Sequence, residues 1–102
     1  ALHNEPGLYE ELLTDFINLE DKAHALKRAL TEQDLTTIRD VVHAHKPSLS
    51  YIGAYSLALS AKELEINLKA ANATLSIQQE QQVQNFLEAV LQLTQQLKQG
   101  NR

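Results

Sequence analysis

Ser76–Gly100 reads SIQQEQQVQNFLEAVLQLTQQLKQG, and its pattern decides the fold class. Val83, Phe86, Leu87, Val90, Leu93 and Leu97 recur at spacings of three and four, which keeps them on one side of a helix. Ser76 and Gln79 open the segment as a capping box: the serine side chain accepts from the backbone and the glutamine reaches back. Gly100 is the natural end. The glutamines between the apolar positions read as a solvated face of good helix formers. The intact apolar period argues against a prion-like tract.

The same period recurs upstream in three more segments. Leu12, Phe16, Leu19, Ala23, Leu26 and Leu30 mark a first helix over roughly residues 7–30. Asn4 or Glu5 followed by Pro6 is its expected start. A second helix is expected over roughly 34–51, capped by Asp34 or its rival Thr31. Ile38, Val41, Val42, Leu49 and Ile52 form its apolar face, and Gly53 is its terminator. Ala54, Leu57, Ala61, Leu64 and Leu68 mark a third over roughly 54–71, with the fourth over roughly 76–99. Asn72 to Leu75 is the expected turn between them. Short connections predict an antiparallel up-and-down four-helix bundle, all-α, forming a single domain over residues 1–102.

Composition narrows the function classes. The chain has 102 residues, 43% of them hydrophobic and 5% aromatic, which suits one modest helical core and disfavours a β-sandwich or barrel. The absence of Cys excludes disulfide scaffolds, thiol catalysis and Cys-based zinc sites. A net charge of −4 with no basic stripe argues against nucleic-acid binding. No apolar run is long enough for a membrane span, and no signal-peptide pattern opens the chain. The absence of Met argues for a segment of a longer chain.

The chemically informative stretch is Val41 to Ala54, VVHAHKPSLSYIGA. On a helical wheel with Ile38 at the origin, the apolar face points to about 345°, at about 100° per residue. His45 falls on that face and is expected in the core. His43 falls at about 140°, outward, with Arg39, Lys46, Pro47 and Ser50 nearby. The two histidines are two residues apart and face opposite ways, so they cannot share a metal. His24 reads as packing or surface, and His3 falls at the terminus. There is no Gly-rich phosphate loop and no acidic cluster for Mg²⁺.

This stretch resembles the histidine-containing phosphotransfer (HPt) domain of bacterial phosphorelays. The family pattern runs His-x-Leu-Lys-Gly-Ser, then Gly-Ala, then a Leu-rich helix ending in Leu-Glu. His43, Lys46, Ser48, Gly53-Ala54, Leu57 and Leu64-Glu65 fall at the matching places. Upstream, Leu12-Leu13 with Phe16, and Ala29-Leu30 to Asp34, resemble the preceding helix and turn. The likeness covers roughly residues 8–70 by motif and the whole chain by helix layout. His45 stands where the family has Leu, Leu49 replaces a small residue, and Pro47 replaces Gly. A mid-helix proline costs about 3 kcal/mol, against a domain stability of about 5–15 kcal/mol.

The resemblance implies a phosphoryl carrier with no ATP site of its own, and so not an autonomous enzyme. His43 would be the phosphoacceptor and Lys46 the cation beside the phosphoryl oxygens. Arg39, Asp40, Pro47 and Ser50 are the candidate docking residues, and Gly53 a structural one. The partners implied are receiver domains of a parent hybrid sensor histidine kinase or of a response regulator. The domain itself takes no cofactor; Mg²⁺ is expected in the receiver. A cytoplasmic, monomeric domain is implied, with no nucleic-acid or membrane contact. Two alternatives stay open: a phosphorylation-inactive bundle that only docks receivers, and a generic helical interaction module.

Overall fold

The computed structural model describes residues 6–100, with side chains described at 14 and over 17–97. Four helices make up the fold: α1 (Pro6–Glu32), α2 (Leu35–Tyr51), α3 (Tyr55–Lys69) and α4 (Ile77–Gly100). There is no strand among the described residues. The expected cap at Asn4 or Glu5 and the terminal His3 lie outside the described residues, as do the side chains of Leu12 and Phe16.

The helix ends follow local chemistry. Asp34 caps α2: its Oδ1 accepts from the Thr37 backbone N–H at 3.2 Å and its Oδ2 from the Thr37 hydroxyl at 2.7 Å. The hydroxyl bond and the backbone bond together hold the Asp34 carboxyl below the usual carboxylate range. Thr31 is not the cap. It lies inside α1, which runs past residue 30, and its hydroxyl donates back to the Lys27 carbonyl at 3.0 Å. α1 ends where Gln33 turns left-handed at φ 58°, with the Asp34 N–H bonded to the Ala29 carbonyl at 3.0 Å. The capping box of α4 forms in both directions. Ser76 N–H donates to Gln79 Oε1 at 2.9 Å, and Gln79 N–H to Ser76 Oγ at 3.0 Å. α3 stops at Lys69, two residues before Ala71, because the Ala70 and Ala71 N–H groups pair three residues back and tighten the last turn.

Gly53 ends α2 as read from the sequence. Its φ is 84°, and Gly53 and Ala54 donate to the carbonyls of Ser50 at 3.0 Å and Leu49 at 2.8 Å. A Cβ here would meet nothing within 4 Å, so the glycine is required by its dihedral and not by space. Gly53→Ala is therefore expected to destabilise by about 1–2 kcal/mol, lowering Tm by about 4–8 °C per kcal/mol. A thermal melt checks this; an unchanged Tm would contradict the left-handed assignment.

The four apolar stripes meet in one core. Leu19, Ala23, Leu26 and Leu30 come from α1, and Ile38, Val42 and Leu49 from α2. Ala61, Leu64 and Leu68 come from α3, and Val83, Phe86, Leu87 and Val90 from α4. Val41, Ile52, Ala54, Leu57 and Leu93 pack at its edge, half-buried. The helices form a ring: α1 packs on α2, α2 on α3, α3 on α4, and α4 on α1. Along the diagonals the backbones stand apart, and the rings of His45 on α2 and Phe86 on α4 meet across one of them.

Candidate functional site

Arg39, His43 and Lys46 recur at spacings of four and three on α2, so they share the flank that faces α3. From α3, Glu65 answers two of them. His43 Nδ1 lies 2.6 Å from Glu65 Oε2, and Lys46 Nζ lies 2.6 Å from Glu65 Oε1. The His43 side chain is 66% exposed, whereas those of Lys46 and Glu65 are 31% and 17% exposed. One carboxylate at the helix seam thus tethers an outward imidazole and a half-buried ammonium.

The charge state follows from that geometry. The Lys46 hydrogen bond is the largest influence holding the Glu65 carboxyl below its usual range, and the bond from His43 adds to it. Partial burial opposes both and loses. An ionised carboxylate only accepts, so the proton of a neutral His43 ring sits on Nδ1. Nε2 then carries the lone pair. The site therefore sets an exposed imidazole, tethered at Nδ1 with its Nε2 lone pair away from Glu65, one turn from a cation.

The other expected site residues separate. Asp40, Pro47 and Ser50 are exposed on α2, on the same outer side as His43. α2 stays helical through Pro47, which withholds only the one N–H that would have met the His43 carbonyl. Arg39 turns away from the imidazole. Its Nε and Nη2 donate to the Leu68 carbonyl at 3.1 and 3.0 Å, and Nη2 also donates to the Ala71 carbonyl at 2.6 Å. Glu65 is the residue that sequence reasoning missed as a functional one. It appeared only as part of a helix match. The available signal was its place on the wheel of α3, at the margin of the Ala61, Leu64 and Leu68 stripe, where an acid can meet a histidine and a lysine on a neighbour.

His45 lies in the core, fully buried, as its wheel position required. Its Nδ1 donates to the Val41 carbonyl at 2.8 Å, and its ring meets that of Phe86 edge-on, with centroids 5.2 Å apart and planes at 79°. Nε2 is buried without a hydrogen-bond partner. Burial is the main cause that pushes the His45 pKa down.

An open groove of about 280 Å³ between α3 and α4, lined by Leu57, Asn67, Gln82 and Phe86 among others, is lined by none of these α2 residues. Among the described residues no group of three or more His, Asp or Glu gathers at metal-binding distance. None of the helices, over the same residues, is long and apolar enough to cross a membrane.

Comparison with curated proteins and with solved structures gave no match. A family model described as Hpt domain matches residues 11–99 and so takes in α2, α3 and the seam between them. An exposed histidine fixed on the surface of four helices is what phosphoryl carriage between receiver domains requires, and the chain belongs to the Hpt domain family of two-component phosphotransfer.

Proposed function

We propose that His43 is the phosphoacceptor of a multistep phosphorelay. Its Nε2 lone pair attacks the phosphorus of a receiver's aspartyl phosphate. The N–P bond forms as the P–O bond to the aspartate breaks, and the carboxylate leaves. The ring keeps its proton on Nδ1, where Glu65 offsets the positive charge that develops. Transfer to a response regulator runs the same step backwards, with a second aspartate as the attacking group. Lys46 is placed to leave Glu65 and meet the phosphoryl oxygens. The observation that carries this reading is the 2.6 Å bond from an exposed His43 to Glu65, itself paired with Lys46.

The chain supplies the acceptor, and the receiver supplies the Mg²⁺ and the acidic site that holds it. Docking is assigned to the outer face of α2, with Asp40, Pro47 and Ser50. Arg39, engaged on α3, contributes from the side. The same footprint extends onto α3, where Tyr55, Leu59 and Ile66 are exposed along one stripe, one residue round from Glu65. In this reading residues 1–102 act as one monomeric cytoplasmic domain, without nucleic-acid or membrane contact, serving a hybrid sensor kinase. The helices are taken as an antiparallel up-and-down bundle. Support comes from Arg39, near the start of α2, meeting the end of α3, and from Gln33, just past α1, donating to Glu80 in the first turn of α4 at 2.8 Å.

The test is to incubate the domain with a phosphorylated receiver and follow acid-labile phosphate on it. Wild type and His45→Gln are expected to carry label, and His43→Gln none. Label on His43→Gln would mean another residue is the acceptor. Absence of label on every folded form, with tight receiver binding, would replace the carrier by a docking module, the outcome that Pro47 favours. No label and no binding would leave only the helical bundle.

A further inference from the structure

α3 is poorly secured by its own sequence. Its N-cap, Ala54, makes no side-chain cap bond, and its end at Ala70 carries no left-handed glycine. The last carbonyls of a helix lack intrahelical donors and carry partial negative charge. The Ala70 and Ala71 N–H groups reach the Asn67 and Leu68 carbonyls, Lys69 puts one charge in the last turn, and other helices add to these. Gln79 of α4 donates to the Asn67 carbonyl at 3.1 Å, and Arg39 of α2 donates to those of Leu68 and Ala71. The guanidinium puts a full positive charge at the negative end of α3. Its rigid fork sets Nε and Nη2 together on the Leu68 carbonyl while Nη2 also reaches that of Ala71, a planar geometry that a flexible lysine ammonium does not hold.

Leu68 lies one turn beyond Glu65, and Arg39 one turn before His43. The contact made by Arg39 is therefore the neighbouring rung to the one that joins His43 to Glu65. We infer that Arg39 is a positioning residue: by clamping the last turn of α3 to α2, it holds the Glu65 carboxylate at His43 Nδ1 and so leaves Nε2 as the attacking nitrogen. This rests on reading His43 as the phosphoacceptor. It gives Arg39 a role inside the domain besides its side contribution to docking.

The experiment uses the whole chain with ¹⁵N-labelled histidine, as wild type, Arg39→Met and Arg39→Lys. The ¹⁵N shifts of His43 report which ring nitrogen holds the proton, in the absence of any receiver. Phosphoryl acceptance from a phosphorylated receiver is measured beside them. In Arg39→Met, the His43 shifts are expected to move toward those of a free imidazole, and acceptance to fall about 10- to 100-fold. Arg39→Lys, which keeps the charge without the fork, is expected to lie between. Wild-type His43 shifts in a folded Arg39→Met would overturn the inference, even with slower acceptance, since that pattern belongs to a direct receiver contact. Should Arg39→Met fail to fold, the lysine variant decides by the same shifts. Failure of the wild type to accept phosphate would sink the carrier reading instead, with the shift comparison still deciding whether Arg39 positions the ring.

Discussion

Glu65→Gln is expected to slow phosphoryl acceptance by His43 about 100-fold while leaving the helices folded. Glutamine keeps an oxygen that can accept from Nδ1, so the hydrogen bond and the ring tautomer can survive. What disappears is the negative charge. When Nε2 bonds to phosphorus the ring becomes cationic, and Glu65 is the carboxylate that touches it. A 100-fold loss is about 2.7 kcal/mol of barrier. Two unit charges 4 Å apart exchange about 4 kcal/mol at an effective dielectric of 20, so the effect is within reach of one charge. Rapid-quench transfer from a phosphorylated receiver measures it, and a rate within about twofold of wild type would show that charge is not the contribution. Glu65 also links the site to acid. Its folded pKa is depressed, so its stabilising contribution is present above the unfolded value and lost as pH falls through the folded one.

His45→Leu is expected to reduce the loss of stability on mild acidification. His45 is buried and neutral, and its folded pKa is lowered by burial first and by the charge of Lys22 on α1 as well. The bond to the Val41 carbonyl opposes that shift, while α4 presents the apolar ring of Phe86 to it. Sign follows directly. The unfolded chain takes up the proton first, so stability is full above the unfolded value near pH 6.5. It then falls toward the folded pKa, by up to about 1.4 kcal/mol per pH unit. Leucine has no proton to take up. It also removes an unpartnered buried nitrogen, a burden of about 1–3 kcal/mol, so the variant should match or exceed wild type at neutral pH. Urea unfolding of both proteins at pH 7.5, 6 and 5 measures the difference. Parallel stability curves would show that His45 does not titrate on unfolding.

What was legible in the sequence was local. A capping box needs Ser76 and Gln79 three residues apart, and a left-handed stop needs Gly53; both requirements are met within one turn. The wheel separated His43 from His45 because a helix of known period fixes side-chain direction whatever packs against it. The left-handed end of α1 was hidden, since Gln33 carries no glycine signal. The seam between α2 and α3 was also hidden. The bond from His43 to Glu65 depends on how two helices slide against each other, which no spacing within either helix determines. Arg39 was expected at the receiver because an arginine advertises its charge. Its acceptors are backbone carbonyls, which look alike at every position of a sequence.

The ring of helix contacts has a kinetic meaning. Three of its four seams join helices adjacent in the chain, across connections as short as Gln33-Asp34. Such contacts close small loops, lose little chain entropy and form in microseconds to milliseconds. Only the seam between α1 and α4, with the contact of His45 and Phe86 across the middle, brings distant parts of the chain together. Folding is therefore expected to run as a series of hairpins followed by one closure. Interactions at that closing seam, the bond of Gln33 to Glu80 among them, govern how long the domain stays folded more than how quickly it forms.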